Sequence, residues 1–402
     1  MSGPVLIYLS PYDILRPRTN QVSDVRFCEG FAQNDCEVHL IVPFVYRNDN
    51  IPKEEIARYY GLEKDITVHY LPYRFKSDIN GKWDAIRVAL LDFFKVLSLL
   101  KKMQDKDDVI IISRSTFLLR PLLFLRKIFP NTFDNTRIIH WAHDFKNRKS
   151  WIKVYKDSDA LLATNSSILQ DMVKAAGTNP DHATYTLNPI TASQVKERVS
   201  KEDARKELGL DKINKPLIVY TGKIGINYEQ EIIHILGAAG KLSEYQFLLT
   251  GGKPEALKKW QQWCEERNIS NVRFTGYLTD YTRIRYYQQA ADVLVSYYTR
   301  QGHDIRYNLP NKLCEYMLSG NVIVSPDYPA TQDLLHSNNC IFAKPEDTEE
   351  LAEKIRYAIN HPEISHQLAM QALEDVQQIT FQKRTAALLE FFKRLKNKSS
   401  DS

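Results

Sequence analysis

Short apolar segments alternate with longer amphipathic ones along this chain, and the alternation limits its fold more than any other feature. In the first half, VLIYLS (5–10) and DVIIIS (108–113) are such apolar segments, and helix-like stretches lie between them. A second series begins at PLIVYTG (216–222) and continues through VLVSYY (293–298). Apolar strands that alternate with helices form right-handed βαβ units and a parallel sheet covered on both faces. The sequence therefore predicts two doubly wound α/β domains.

The length of the chain and a polar stretch near its middle indicate where the two domains meet. A chain of 402 residues is too long for one ordinary core. The first strand series ends near TYTLNPI (184–190), and a polar stretch follows it. We therefore place an N-terminal domain at 1–195 and a C-terminal domain at 196–379. The remaining segment, about 380–402, is a long amphipathic helix with no strand left to pair with in the second domain.

The composition excludes several classes of protein. An apolar fraction of 43% with 26% charged residues is typical of a soluble globular protein, and a net charge of +5 gives no nucleic-acid signature. The five cysteines have no metal-ligand spacing and are predicted to be reduced thiols. The N-terminal segment MSGPVLIYLS does not resemble a signal peptide, and no segment is apolar enough to span a bilayer. We expect a cytoplasmic protein.

A glycine-rich turn follows the first strand of the second series. Gly222 and Gly225 lie on either side of Lys223, and a helix comes next. Glycines allow the backbone to approach a ligand closely, and the amino end of a helix favours an anion. Because the lysine adds a positive charge, a pyrophosphate would fit here. The alternative is an ordinary turn between a strand and a helix, with a lysine on the surface.

Two later turns in the second domain repeat this pattern more weakly. Gly251 and Gly252 follow the next strand, and Tyr277 comes just past the strand after that. Backbone groups at the second of these turns could contact the edge of a base. Two glycines or one aromatic residue at a turn are weak signals, and an ordinary turn is the favoured interpretation of each.

The segment GHDIRYNLPNKLCEYMLSGNVIVSPDYPATQDLL (302–335) combines a short helix with an apolar strand. Gly320 suits the left-handed residue that ends a helix. Lys312 and Glu315 lie on one face of the predicted helix, and the strand VIVS (322–325) follows it. A helix that carries a carboxylate beside a buried parallel strand indicates a ligand site at the carboxyl end of a strand.

The loop LSPYDILRPRTNQVSD after the first strand is long and polar. It places Arg16, Arg18, Thr19 and Asn20 directly before a helix. Long loops at the carboxyl ends of strands commonly carry function. A flexible surface loop is the alternative, and the sequence gives both the same weight.

His143 and Asp144 end an apolar strand of the first domain. Ligands bind beyond the carboxyl ends of parallel strands, so both side chains are expected to point towards such a site. An imidazole there can hydrogen-bond a sugar hydroxyl or a developing charge. A purely structural histidine is the alternative, whereas His140, inside the strand, is expected to belong to the core.

The segment FLLRPLLFLRKIF (117–129) is both basic and apolar. One interpretation is a membrane-facing element that docks on anionic lipid. The other is a buried helix whose Arg120, Arg126 and Lys127 reach outward to water. The sequence leaves both interpretations open.

Several of these segments together resemble a known family. LPNKLCEYMLSGNVIVSPDYPATQDLL, YTGKIG, the F-T-G-Y turn and ADVLVSYY are similar to the donor-binding region of the retaining GT-B glycosyltransferases of family 4 (group 1). The resemblance is strong over about 215–375 and weaker over the first domain. It implies a GT-B fold, with two Rossmann-like doubly wound parallel-sheet domains facing a central cleft. The tail FQKR (381–384) resembles the family's closing segment, whose helix packs back on the first domain.

The resemblance also implies an activity. The family holds a nucleotide-diphosphate sugar, UDP- or GDP-linked, in its second domain and an acceptor in its first. A hexosyl group would be transferred with retention of the anomeric configuration to a glycan, lipid-linked or glycolipid acceptor, in polysaccharide biosynthesis. The family is expected to need neither a metal nor a cofactor beyond this co-substrate. Peripheral contact with the inner face of the membrane is compatible with such acceptors.

Matched position by position, the resemblance assigns roles to three residues as the catalytic set. Glu315 aligns with the second carboxylate of the E-x7-E motif, which holds the ribose hydroxyls, and Lys223 stands where an Arg usually neutralises the pyrophosphate. His143 stands near the histidine that contacts the donor sugar. The implied donor site comprises Gly222, Gly225, Gly251, Gly252, Tyr277, Arg306, Tyr307, Asn311, Lys312, Leu313 and Glu315. The implied acceptor site comprises Arg16, Arg18, Thr19, Asn20 and Asp144.

The chain departs from the family pattern at three places. Tyr307 replaces the first carboxylate of E-x7-E, Tyr228 replaces the second basic residue, and RPRTNQ replaces a Gly-Gly loop. Arg306 and Lys312 are predicted to supply the missing positive charge. The two tyrosines motivate an alternative, a catalytically weak or inactive nucleotide-binding subunit of a glycan-synthesis complex. An epimerase with this fold ranks last, because its acid–base carboxylates are not evident.

Overall fold

The computed structural model describes residues 3–15, 19–45, 52–75, 82–191, 194, 197–225, 229–278, 280–300 and 304–400. The chain divides into two compact units. The first consists of Met1–Asn188 together with Phe381–Ser402, and the second is Pro189–Thr380.

The first unit is built on a parallel sheet of seven strands in the order β3-β2-β1-β4-β5-β6-β7. The strands are β1 (Val5–Leu9), β2 (Glu37–Val45), β3 (Thr67–Phe75), β4 (Val109–Ser113), β5 (Thr136–Ala142), β6 (Ala160–Ala163) and β7 (Ala183–Tyr185). Every residue of β1 and β4 is buried. This burial follows from their apolar sequences, since helices cover both faces of the sheet.

The helices of the first unit lie between these strands in the chain. They are α1 (Thr19–Ala32), α2 (Ile56–Tyr60), α3 (Lys82–Lys102), α4 (Thr116–Ile128), α5 (Lys149–Asp157) and α6 (Ser166–Ala176). Short 3-10 helices occupy Lys53–Glu55, Pro130–Phe133 and Pro180–His182. Buried residues of α3, α4 and α5 share a core with Val5, Ile7 and Leu9 of β1. Those of α1 share the opposite core with Leu6 and Tyr8.

The second unit has a parallel sheet of six strands in the order β10-β9-β8-β11-β12-β13. The strands are β8 (Leu217–Thr221), β9 (Gln246–Thr250), β10 (Val272–Gly276), β11 (Val293–Val295), β12 (Val322–Pro326) and β13 (Ile341–Ala343). The helices are α7 (Lys201–Glu207), α8 (Glu229–Lys241), α9 (Pro254–Glu265), α10 (Tyr281–Gln289), α11 (Lys312–Ser319), α12 (Thr348–Asn360) and α13 (Pro362–Gln377). The prediction of two doubly wound parallel sheets is therefore confirmed.

The last helix, α14 (Phe381–Ser400), belongs to the first unit. Its Leu388 and Phe392 are buried in the same core as α1, against which the helix packs. Asn34 adds polar contacts, because its side-chain amide donates hydrogen bonds to the carbonyl of Gln382 (2.9 Å) and to Oγ1 of Thr385 (3.0 Å). These contacts bind the end of the chain to the N-terminal unit.

Several helix ends follow from local sequence. The side chain of Asn165 accepts a hydrogen bond from the amide of Ile168 and caps α6, and Asp280 caps α10 in the same way. Gly177 and Gly320 take left-handed conformations at the ends of α6 and α11. The prediction that α11 stops at Gly320 is confirmed. Six of the eight residues of α11 are buried, whereas Lys312 and Glu315, predicted to share one face, are each half-buried.

Candidate functional site

Three neighbouring strands of the second unit end in glycine turns that contact one another. The amide of Gly222 donates to the carbonyl of Thr250 (3.0 Å), and that of Gly251 donates to the carbonyl of Gly276 (2.9 Å). Gly251 and Gly252 have φ angles of +126° and +85°, which side-chain-bearing residues rarely adopt. A Cβ on Gly251 would lie 1.9 Å from the carbonyl oxygen of Gly222. These glycines therefore allow the neighbouring turns at the carboxyl edge of the sheet to pack against one another, whether or not a ligand binds.

Gly251→Ala is expected to lower the free energy of unfolding by about 2–3 kcal/mol, because the new methyl group must displace backbone. The measurement is the denaturant midpoint. Gly209→Ala is the matched control, since Gly209 also has a positive φ, of 65°, but nothing lies within 4 Å of its added Cβ. A control variant that is destabilised as much as Gly251→Ala would show that backbone conformation, and not close approach, accounts for the effect.

Lys312, the first residue of α11, lies against the turn at Gly222. Its Nζ is 4.0 Å from the ring centroid of Tyr220 and 3.3 Å from the position that a Cβ of Gly222 would take. Burial lowers the pKa of Lys312 to about 8, while the charges of Glu231 and Glu315 oppose this shift. A lysine ammonium therefore lies at the carboxyl end of β8, where it can neutralise an anion.

Glu315 lies one turn further along α11 and is held in place by neighbouring side chains. Nε2 of Gln288 donates to Oε2 of Glu315 (3.0 Å) and to Oγ1 of Thr221 (3.1 Å). The hydroxyl of Tyr316 accepts a hydrogen bond from the amide of Thr221 (2.8 Å). Burial raises the pKa of Glu315, and the bond from Gln288 and the charge of Lys312 lower it. These contacts fix the carboxylate beside the end of β8.

A second carboxylate, Glu231 on α8, belongs to the same cluster but was not predicted. It is only 4% exposed, and its charge raises the pKa values of Lys312, Tyr220 and Tyr298, although burial is the larger cause for each group. The sequence reads EQEIIHIL, in which Glu231 resembles a surface residue of the first helical turns. The available signal was its position one turn before the buried Ile235, on the same face of the helix.

The other predicted donor residues differ in their surroundings. Lys223 and Asn311 are exposed, Gly225 is half-buried, and the side chain of Tyr277 is 73% exposed. Leu313 is fully buried and its amide donates to the carbonyl of Pro310 (3.1 Å). The burial makes the side chain of Leu313 inaccessible to a ligand, and the hydrogen bond occupies its amide.

Arg306 and Tyr307 lie together in the loop before α11. Arg306 is exposed, and its guanidinium carbon is 5.8 Å from the ring centroid of the half-buried Tyr307. The amide of Arg306 donates to Oδ1 of Asp304 (3.1 Å). A cation and an aromatic ring therefore occupy the segment in which the E-x7-E pattern would place a carboxylate.

In the first unit, His143 directly follows β5 and packs 5.2 Å from the ring of Trp141. Its Nε2 is buried and makes no hydrogen bond to a described residue. Burial, and then the charges of Arg114 and His140, lower the pKa of His143 well below its ordinary value. The imidazole is therefore neutral at physiological pH. Asp144 is exposed and lies 3.0 Å from Nζ of Lys146.

A buried ion pair stands beside His143 and was also not predicted. Nη1 of Arg114 lies 3.1 Å from Oδ1 of Asp24, and its guanidinium carbon is 4.3 Å from the ring centroid of Trp141. The hydroxyls of Tyr8 and Ser10 donate to the two oxygens of Asp24 at 2.8 and 2.7 Å. The available signal was the arginine directly after the apolar strand VIIIS, where a charge can be buried only if it is paired.

The remaining predictions fall on positions that the structure does not describe. Arg16, Arg18 and Tyr228 lie outside the described residues. Thr19 and Asn20 begin α1, but their side chains lie outside the description. The acceptor loop therefore stays a prediction.

Within the described ranges, no helix has the length and apolar character that a membrane crossing requires. The same residues contain no group of three or more His, Cys, Asp or Glu placed to hold a metal ion.

Comparison with known proteins agrees with this geometry. The segment 215–361 matches the family model described as Glycosyl transferases group 1, and it contains the glycine turns and α11. A glycosyltransferase from Rickettsia africae aligns with a TM-score of 0.71 and 12% identity, over 98% of this chain and 99% of that one. The chain has the GT-B fold. Its second unit contains a glycosyltransferase group 1 domain.

Other GT-B structures align over nearly the whole chain. HepE of Anabaena in complex with UDP gives a TM-score of 0.67 at 12% identity, covering 96% of this chain and 99% of that one. The lipopolysaccharide outer core galactosyltransferase WaaB gives 0.65 at 14% identity, covering 98% and 99%. At such identities the likeness establishes the GT-B fold alone. No curated protein sequence matches the chain at a significant level.

Proposed function

We propose that this GT-B protein is a retaining glycosyltransferase that moves a hexosyl group from a nucleotide-diphosphate sugar to a glycan, lipid-linked or glycolipid acceptor. The observation that carries the proposal is the pair of Lys312 and Glu315, one turn apart on α11 and both at the carboxyl end of β8. An ammonium and a carboxylate at this spacing suit the diphosphate and the ribose of one nucleotide. The UDP bound by HepE supports a uridine nucleotide.

Two groups of the second unit assist the proposed reaction. Glu315 accepts hydrogen bonds from the ribose hydroxyls, and Lys312 neutralises the diphosphate as the bond from the anomeric carbon to its oxygen breaks. The acceptor oxygen attacks from the same face, and its proton passes to the departing phosphate oxygen. Because Lys312 supplies the charge, we expect turnover to persist in EDTA, which an assay with the chelator tests.

The acceptor is proposed to bind the first unit. Arg16, Arg18, Thr19, Asn20 and Asp144 are its proposed contacts, and the protein is proposed to act in the cytoplasm. His143 is neutral in this unit and can hydrogen-bond a sugar hydroxyl without placing a positive charge beside an oxocarbenium-like carbon.

The decisive experiment measures nucleotide binding by thermal stabilisation across a panel of UDP- and GDP-sugars. A ligand at a hundred times its Kd adds about 2.7 kcal/mol to the free energy of unfolding, which a thermal-shift measurement resolves easily.

Glu315→Ala is expected to weaken UDP binding about tenfold and to leave the affinity for a 2′,3′-dideoxy analogue unchanged. The exposed Glu363→Ala is the matched control. A Glu315→Ala variant that loses affinity equally for both nucleotides would remove the ribose assignment.

The alternative is a catalytically weak or inactive nucleotide-binding subunit. The cation and ring at Arg306 and Tyr307 favour it, because Tyr307 stands where the E-x7-E pattern has its first carboxylate. Labelled UDP- and GDP-sugars distinguish the two functions. Slow hydrolysis of one donor supports the transferase, whereas tight binding without hydrolysis or transfer supports the subunit. If Tyr307→Glu gains turnover that the parent protein lacks, the tyrosine at this position accounts for the parent's loss of catalytic activity.

UDP affinity is expected to fall about tenfold as the pH rises from about 7 to about 10. The pKa of Lys312 is lowered to about 8, so its ammonium is charged below that pH and neutral above it. Titration calorimetry at several pH values checks the prediction. The UDP affinity of Lys312→Met should not change with pH. A parent protein whose UDP affinity also stays constant from about pH 7 to about pH 10 would contradict the prediction.

A further inference from the structure

The helices α3, α4 and α5 form one layer over the sheet of the first unit. Their buried residues share a core with β1, and α4 packs against both of the other two. The sequence left open whether α4 is buried or faces a membrane, and α4 has a face of each kind. Leu118, Leu119 and Leu122 are buried against the sheet, whereas Phe124 and Ile128 are exposed.

The outward side of this layer exposes large apolar side chains. Phe94 on α3 is 63% exposed and Phe124 on α4 is 64% exposed. Among the described side chains, Leu90, Ile128 and Phe129 are further exposed apolar residues of the layer and its edge. Exposed apolar side chains that cluster on neighbouring helices indicate a docking surface, whereas single ones are ordinary. We call this outward side the docking layer.

The docking layer is also strongly cationic. The sequences of α3, α4 and α5 contain eleven Lys or Arg residues and three Asp residues. Of the described acids in these helices and directly after them, Asp92 is buried, Asp157 lies 2.7 Å from Nζ of Lys127, and Asp159 pairs with Arg126. Lys149, Lys153 and several other cations are exposed. A partner for this surface must therefore be anionic as well as apolar.

A crevice between α4 and α5 adds a place for an anionic group. It has a volume of about 240 Å³, and its lining includes Arg120, Phe124, Lys127, Lys153 and Asp157. Nε of Arg120 is buried and makes no hydrogen bond to a described residue. Cations line the crevice, and an exposed phenylalanine stands beside them. That arrangement suits a lipid phosphate whose acyl chains contact the phenyl ring.

We propose that the docking layer binds the surface of an anionic lipid bilayer, with Phe94 and Phe124 entering the headgroup region. A second copy of the chain is a poorer partner, because the same cationic surface would face itself. A nucleic acid would use the lysines but would leave the apolar side chains unexplained. The proposal does not depend on the nucleotide site, which lies in the second unit.

The test is co-sedimentation of the full chain with vesicles. We expect binding to vesicles that contain phosphatidylglycerol and none to pure phosphatidylcholine, with binding lost at high salt because exposed charges are screened. Phe94→Ser/Phe124→Ser is expected to lower the partition coefficient about tenfold, since apolar burial is lost. Lys149→Glu/Lys153→Glu is expected to lower it at least as much, about tenfold or more, since attraction to anionic lipid is lost.

Matched controls come from exposed residues elsewhere. Tyr59→Ser and Lys206→Glu change an exposed aromatic residue on α2 and an exposed lysine on α7, and both should leave vesicle binding unchanged. Circular dichroism and an unchanged thermal midpoint verify that the variants fold. Equal sedimentation with and without anionic vesicles would overturn the proposal. So would a dimer in sedimentation velocity that disappears in Phe94→Ser/Phe124→Ser, because the surface would then join two copies.

Discussion

Lys312→Met is expected to weaken UDP binding by about 10- to 100-fold, the equivalent of one lost charge-assisted hydrogen bond of about 1.5–3 kcal/mol. The Nζ of Lys312 lies at the Gly222 turn, 4.0 Å from the ring centroid of Tyr220. Methionine keeps the length of the side chain and its packing on that ring, so the change removes mainly the charge. Titration calorimetry at neutral pH measures the loss.

Lys223→Met is the informative comparison, because this lysine directly follows Gly222 in the same turn and was predicted to neutralise the pyrophosphate. Its side chain is exposed, so the expected loss is smaller, about threefold, as for a solvent-screened charge. A larger loss in Lys223→Met than in Lys312→Met would transfer the phosphate-binding role to Lys223. Unchanged binding in both variants would place the nucleotide elsewhere.

Arg114→Leu is expected to lower the free energy of unfolding of the first unit by about 3–5 kcal/mol, the cost of leaving a buried charge without its partner. The side chains of Arg114 and Asp24 are 6% and 0% exposed, and their closest atoms lie 3.1 Å apart. Among the described residues, removing the arginine leaves the Asp24 carboxylate with the hydroxyls of Tyr8 and Ser10 as hydrogen-bond donors. Denaturant unfolding followed by tryptophan fluorescence reports the change, since Trp141 contacts Arg114.

The double variant Arg114→Leu/Asp24→Asn separates charge from packing. A neutral amide in place of the carboxylate removes the uncompensated charge, so the double variant should be more stable than Arg114→Leu alone. If both variants are equally destabilised, loss of contact with the Trp141 ring accounts for the effect, and the ion pair does not. Removing Arg114 should also raise the pKa of His143, because the charge of the arginine helps to lower it.

The parallel sheets were predictable because each strand is encoded locally. VLIYL consists of apolar residues and VIIIS has a single polar one, Ser113, and such strands fit only a sheet that is buried on both faces. The end of α11 at Gly320 was predictable for a similar reason, since a left-handed residue favours glycine. The spacing of its motif placed Glu315 in the predicted donor site, and the hydrogen bond from Gln288, which also bonds to Thr221, explains how that carboxylate is held.

The less predictable features depend on contacts between distant parts of the chain. Arg114 and Asp24 are 90 positions apart and meet because β4 lies beside β1 in the sheet. Lys312 reaches the Gly222 turn because α11 packs beside the end of β8, as the bond between Thr221 and Tyr316 shows. Local spacing carries no information about such neighbours. The family resemblance also placed Leu313 in the donor site, whereas the packing of α11 buries that residue.

The position of α14 in the first unit has a consequence for how the protein is made. The second unit, Pro189–Thr380, is inserted in sequence between the two parts of the first. Leu388 and Phe392, which fill the core beside α1, leave the ribosome only after the whole second unit has been synthesised. The surface of the N-terminal unit beside α1 therefore stays uncovered until the C-terminal unit and α14 have been synthesised. Chaperones that bind exposed apolar surface would act during this interval.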